Sequence, residues 1–201
     1  AGPTAHPVKP SEYQAIDNFY TTTIYEKGAE LIRMLHTLLG PERFMRGMAT
    51  YVSRFDGTAA TTEDFVQSIV DGAVQDGEPL GFDPERFKRW YHQAGTPELT
   101  VQRRWDAATG QLTLELRQST SPTPGQDQKQ PLVLPIAVAL VGEQGRIGDE
   151  QLLVMQEEQA TLTLQAEPGS AAPALSLLRR FSAPVNVQLE LSLQESLQLL
   201  A

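Results

Sequence analysis

At residues 96–98, "TPE", the hydrophobic period of this chain changes from that of a helix to that of a strand, so two differently built parts must follow one another. Before this point, from Asn18 to Gly95, apolar residues recur at three and four. Ile24, Leu31, Leu35 and Leu38 form one stripe with Ile32 and Leu39 beside it, which predicts a helix over 20–39 ended at "GPE", 40–42. A second helix follows in "ERFMRGMATYVSRF". A third opens at Thr61 or Thr62 with Glu63 and Asp64 in the first turn, where the helix dipole favours acids. In the fourth, Asp83 is the cap, Pro84 the first helical residue and Gly95 lies just past the end.

After residue 98 seven short runs alternate or are wholly apolar: "LTVQRRW", "QLTLELRQ", "LVLPIAVALV", "EQLLVMQ", "QATLTLQA", "ALSLLRRF" and "VNVQLELSL". They are parted by turn-rich pieces such as "DAATG" and "EPGSAAP", a spacing that predicts a β-sandwich. Pro135, inside a central-looking run, predicts an edge, bend or bulge. The Pro/Gln-rich stretch 120–131 reads as a loop, and no internal repeat is evident.

The fold class is therefore α+β, and 201 residues are enough to bury a core. Sixteen basic against 25 acidic residues give a formal charge of −9 without any basic run, which argues against a nucleic-acid partner. No apolar run approaches the ~20 residues of a membrane span. The chain contains no cysteine, which excludes thiolate metal sites and thiol nucleophiles and suits a reducing, cytoplasmic setting. "AGPTAHPVKPSEY" has none of the features of a signal peptide and reads as a connecting loop.

Chemistry is sparse. His6, His36 and His92 have no partner at the three- or four-residue spacing that puts two zinc ligands on one helical face. No nucleophile elbow, phosphate loop or dinucleotide fingerprint occurs. Tyr20 and Tyr25, ahead of the long helix, read by spacing alone as half-buried packing with hydroxyls at the rim. On these grounds a binding or interaction module with no self-contained active site remains as open as an enzyme.

"NFYTTTIYEKGAELIRMLHTLLG", 18–40, closely resembles the segment of aminopeptidase N family zinc metallopeptidases, in the gluzincin group, that carries the catalytic tyrosine. "AHPVKP" before it, "FMRGMATYVSRFDGTAATTEDFVQSI" and "FKRWYHQAGTPELTV" after it, and "FSAPV" near the end agree in order and spacing. The resemblance implies that Tyr25 is the catalytic tyrosine, a phenol that stays protonated at neutral pH and donates to the developing oxyanion. It implies that Tyr20, with Asn18, lines the pocket for the substrate's first side chain and that Glu26 stands beside them. The family's H-E-x-x-H ligand pair, its further glutamate ligand and its G-x-M-E-N strand do not occur in these residues. The implied organisation is an internal piece of a larger enzyme. Residues 1–97 would be the C-terminal helical part of a thermolysin-like catalytic domain, 98–190 the sandwich, and 191–201 the lead into a further helical domain. Zinc and peptide substrates would then belong to the parent enzyme, with the remaining domains as partners of this piece. Alone it is expected to bind no metal and to be inactive.

Overall fold

The computed structural model describes residues 2, 4–13 and 15–200, in two compact units: Ala1–Gly95 with Ser121–Val133, and Thr96–Thr120 with Leu134–Ala201. The first unit is helical. A 3-10 turn, Ile16–Phe19, precedes a five-residue π-helical turn, Thr23–Lys27, which runs straight into α1, Gly28–Leu39. The helix therefore begins after Tyr20 rather than at it. Leu31, Met34, Leu35 and Leu39 are its buried face, while Ile32 is exposed. α2, Pro41–Phe55, and α3, Thr62–Ala73, follow, with α4 at Pro84–His92.

Local chemistry explains the helix ends. Thr61 caps α3 through its side chain, and Asp64 returns the bond to the Thr61 N–H at 2.9 Å, a reciprocal box that satisfies two otherwise orphaned donors. The Asp83 carboxylate accepts from the Glu85 and Arg86 amides at the start of α4. α2 and α3 approach backbone to backbone: a Cβ on Gly72 would lie 2.6 Å from Gly47 Cα, and one on Gly47 would lie 2.7 Å from Ile69 Cα. Only glycine fits at either position.

The returning segment 121–133 is a loop, two residues longer at its end than the 120–131 that the sequence predicts, and it closes the C-terminal end of α4. Trp90 Nε1 donates to the Val133 carbonyl (2.9 Å), Gln93 to the Gln130 carbonyl (3.1 Å), and the Ala94 amide to the Gln126 side chain (2.8 Å).

The second unit is a sandwich of seven strands: β1 Glu98–Asp106, β2 Gln111–Ser119, β3 Leu134–Gly142, β4 Gly145–Met155, β5 Gln159–Gln165, β6 Ala174–Leu177 and β7 Asn186–Gln188. One sheet runs β5-β2-β1-β7 and the other β4-β3-β6. Period-two patterning is plain in β2, where Leu112, Leu114 and Leu116 are buried and Glu115 and Arg117 exposed. β3 is buried from Leu134 to Leu140, in keeping with its unbroken apolar run. Its proline causes no break, because β6 pairs only from Val138 onward. On that side of β3 the Ala137 amide donates instead to Ser182 Oγ (3.0 Å), and Pro135, two residues earlier, has no N–H to satisfy there. The register shift lies further along, between Val138 and Leu140. α5, Leu193–Leu200, ends the unit and is capped reciprocally by Ser192 and Glu195.

Candidate functional site

The segment carrying Tyr25 is tied down from its N-terminal side. Val8 is buried, the Lys9 amide donates to the Tyr91 carbonyl (2.8 Å), and Lys9 Nζ donates to Glu63 (2.6 Å). His6 then reaches Thr21. Its Nδ1 lies 2.7 Å from the Pro7 carbonyl, which can only accept, so Nδ1 carries the proton and Nε2 accepts from the Thr21 hydroxyl at 3.0 Å. The same Thr21 oxygen takes the Ile24 amide, and the Thr21 carbonyl takes the amides of Ile24 and Tyr25, each at 3.1 Å. Thr21 thus caps the π-turn with both its side chain and its main chain.

Aromatic contacts continue the support. Tyr13 meets Phe19 edge-on (centroids 5.6 Å apart), Phe19 meets Tyr20 edge-on (5.9 Å), and Tyr20 stacks on Tyr25 at 6.1 Å with 23° between the planes. Tyr20 and Tyr25 are 60% and 59% exposed, so neither is the half-buried packing that spacing alone suggests. Among the described residues the Tyr25 hydroxyl has no hydrogen-bond partner. Asn18 is exposed and helps line a hollow of about 210 Å³ with His6, Phe19 and Ile24, one that neither tyrosine lines. Glu26 is exposed, and its carboxylate takes no hydrogen bond or ion pair among the described residues. Of the four candidates, the structure brings Tyr20 and Tyr25 together and leaves Asn18 and Glu26 apart from them.

Lys27 belongs to the same site. It ends the π-turn, and its Nζ donates to the Gly95 carbonyl at 2.8 Å while lying 5.3 Å from the ring centre of the fully buried Trp90. Burial, and after it the charge of Lys129, lowers the Lys27 pKa to about 8. Lys129 is itself occupied by the Ala94 carbonyl (3.0 Å), Thr123 (2.6 Å) and the Gln126 side chain (3.0 Å). A signal did exist in the sequence: residue 27 is in phase with Leu31, Met34 and Leu35, so a charge stands on the buried stripe of the helix.

Two family descriptions match the chain: "Peptidase family M1 domain" over residues 1–81 and "Domain of unknown function (DUF3458) Ig-like fold" over residues 95–190. Among curated relatives, aminopeptidase N of Escherichia coli (strain K12) is 42% identical over 97% of this chain, and that of Caulobacter vibrioides is 48% identical over 93%. Residues 1–81 thus match the M1 peptidase family, and the chain is similar to aminopeptidases N along nearly its whole length. A crystal structure of Legionella pneumophila aminopeptidase A in complex with aspartic acid matches 98% of the chain with a TM-score of 0.81 at 29% identity. The chain spans about a fifth of these relatives: 22% and 21% of the two aminopeptidases N and 22% of the Legionella chain.

M1 peptidases are metallopeptidases, and the three histidines described here have other partners. His6 is engaged by Thr21, His36 packs edge-on against Phe44 at 5.4 Å, and His92 pairs with Glu63 at 3.0 Å. Among the described residues no three of His, Cys, Asp and Glu come together as a ligand set. No helix among them is long and apolar enough to cross a membrane.

Proposed function

We propose that the complete protein to which this M1 segment belongs removes N-terminal residues from peptides by zinc-dependent hydrolysis, and that Tyr25 supplies an oxyanion donor. The zinc would be held by residues outside these 201. The reading rests above all on Tyr25: an exposed phenol, with no internal partner for its hydroxyl, fixed from both sides by a capped turn and a stacked ring. When water adds to a scissile carbonyl, negative charge grows on the carbonyl oxygen. A phenol placed within reach donates its O–H there without having to ionise or break another bond first. Such a donor acts on the transition state more than on bound substrate, so it raises kcat more than it lowers KM.

Tyr20 and Asn18 would shape the pocket for the first side chain, with Glu26 at its margin. In this reading residues 1–97 complete the catalytic domain, 98–190 form the linking sandwich, and 191–201 lead onward to the other domains with which this piece is partnered.

Tyr25→Phe in the complete protein keeps the ring and deletes the donor. Turnover of an alanyl or leucyl chromogenic amide should fall about 10²–10³-fold with KM changed only a few-fold and zinc content unaltered. Tyr20→Phe should do much less. Unchanged turnover in a folded, zinc-loaded Tyr25→Phe protein would return these residues to a packing or binding role.

A further inference from the structure

We infer that Lys27 is a positioning residue for Tyr25: its partly buried ammonium holds the C-terminal end of the π-turn and so fixes the rotation of the phenol about the helix axis. The inference rests on the reading of Tyr25 given above and adds a residue to it.

A π-turn holds one residue more than the same length of α-helix. At 3.6 residues per turn, losing it would rotate the residues before the turn by about 100° relative to α1, and Tyr25, in the middle of the turn, by part of that. α1 cannot follow, because Leu31, Met34, Leu35 and Leu39 fix its buried face. The direction of the Tyr25 ring is therefore decided by whether the turn keeps its extra residue, and the turn has two supports. Thr21 and His6 hold its start. Lys27 holds its end, through Gly95 and Trp90. Trp90 is itself anchored by its bond to the Val133 carbonyl, and Gly95 sits at φ +94, a conformation that favours glycine.

Lys27 and Tyr25 are two residues apart, a separation that places them on different faces of a helical turn. One can turn inward and be partly covered while the other stays exposed, as observed. An ammonium on a core stripe is costly to desolvate, and a methionine would fill similar space without that cost. What methionine lacks is a donor for the Gly95 carbonyl and a charge for the Trp90 ring. Lys129 does not substitute for it, since its contacts are with Ala94, Thr123 and Gln126.

The test is a double-mutant cycle in the complete protein. Lys27→Met should lower kcat about 10–100-fold, the scale of a misplaced catalytic group, with KM held within a few-fold. In a Tyr25→Phe background the same change should have almost no further effect, because there is no hydroxyl left to misplace. Lys27→Arg, which keeps a donor and a charge, should recover part of the loss and serves also if the methionine variant does not fold. An equal loss in both backgrounds, or full kcat in Lys27→Met, would overturn the proposal. Should Tyr25→Phe alone be silent, the catalytic reading falls, and positioning is judged separately by amide exchange. Lys27→Met should then speed exchange at Ile24 and Tyr25, and unchanged protection there would refute it.

Discussion

In the helical unit two helices pack by leaving side chains out, whereas the core between the sheets of the sandwich packs by filling space. Gly47 and Gly72 let α2 and α3 meet backbone to backbone, and the same unit places a partly buried lysine against Trp90. The sandwich stacks Leu112, Leu114, Leu116, Leu134 and Ile136 in its core. Its ion pairs join strands to neighbouring turns and to α5: Glu150 with Arg179 and Arg180, Arg117 with Glu158, Arg103 with Glu195. The difference teaches that the helical unit is built for fixed backbone placement, which a projecting side chain such as Tyr25 needs, whereas the sandwich is built for bulk stability.

That contrast can be broken by changing volume in opposite directions. Leu114→Ala empties space in a core position that is fully buried, and should cost about 2–5 kcal/mol of the sandwich's stability by denaturant unfolding. Gly72→Ala adds one methyl where none fits, and should cost the helical unit about 1–3 kcal/mol even though alanine favours a helix by about 1 kcal/mol. Exchange of the α2 and α3 amides reports it. A neutral Gly72→Ala would mean that the two helices have slack and that the comparison is misdrawn.

Titration gives a smaller and finer test. Hydrogen bonding from Lys9 lowers Glu63 to about 2 in the helical unit, and hydrogen bonding from Arg103 lowers Glu195 to about 2 in the sandwich. In both cases the folded pKa lies below the unfolded one, so the stabilisation is complete above about 4.5 and is lost as pH falls toward 2. Lys9→Ala should flatten the acid limb of the helical unit, and Arg103→Ala that of the sandwich. Lys27 gives the helical unit an alkaline limb of its own. Its folded pKa of about 8 lies below the ordinary 10.5, so between pH 8 and 10 the unfolded chain binds more protons and stability rises with pH. Lys27→Met should remove that rise. Above this range Tyr91, whose hydroxyl burial pushes well up, acts in the opposite sense.

Much of this was legible in the sequence where one local rule decided the outcome. Asp83 with Pro84 started α4, and the alternation of β2 declared its inner face because the side-chain period is two. What stayed hidden depended on partners distant in the chain. The π-turn leaves no mark on residues 23–27, since its extra residue is held by His6 on one side and Gly95 on the other. Helical periodicity therefore placed Ile24 in the same stripe as Leu31 and started the helix at Tyr20. The phenol at Tyr25 was found through resemblance to a family, while Lys27 was passed over within the same quoted motif, although its charge on an apolar stripe was visible. Helix-dipole reasoning caught Glu63 but not its partners Lys9 and His92, which come from other elements.

The late return of residues 121–133 also sets an order of events on the ribosome. Until Val133 has been made, the indole of Trp90, the Ala94 amide and the side chain of Gln93 lack the acceptors that complete their unit. At about 5–20 residues per second the delay after Gly95 is a few seconds, during which β1 and β2 are synthesised in between. The nascent helical unit must wait, with the end of α4 still open, for a segment whose messenger lies beyond that of two strands of another unit.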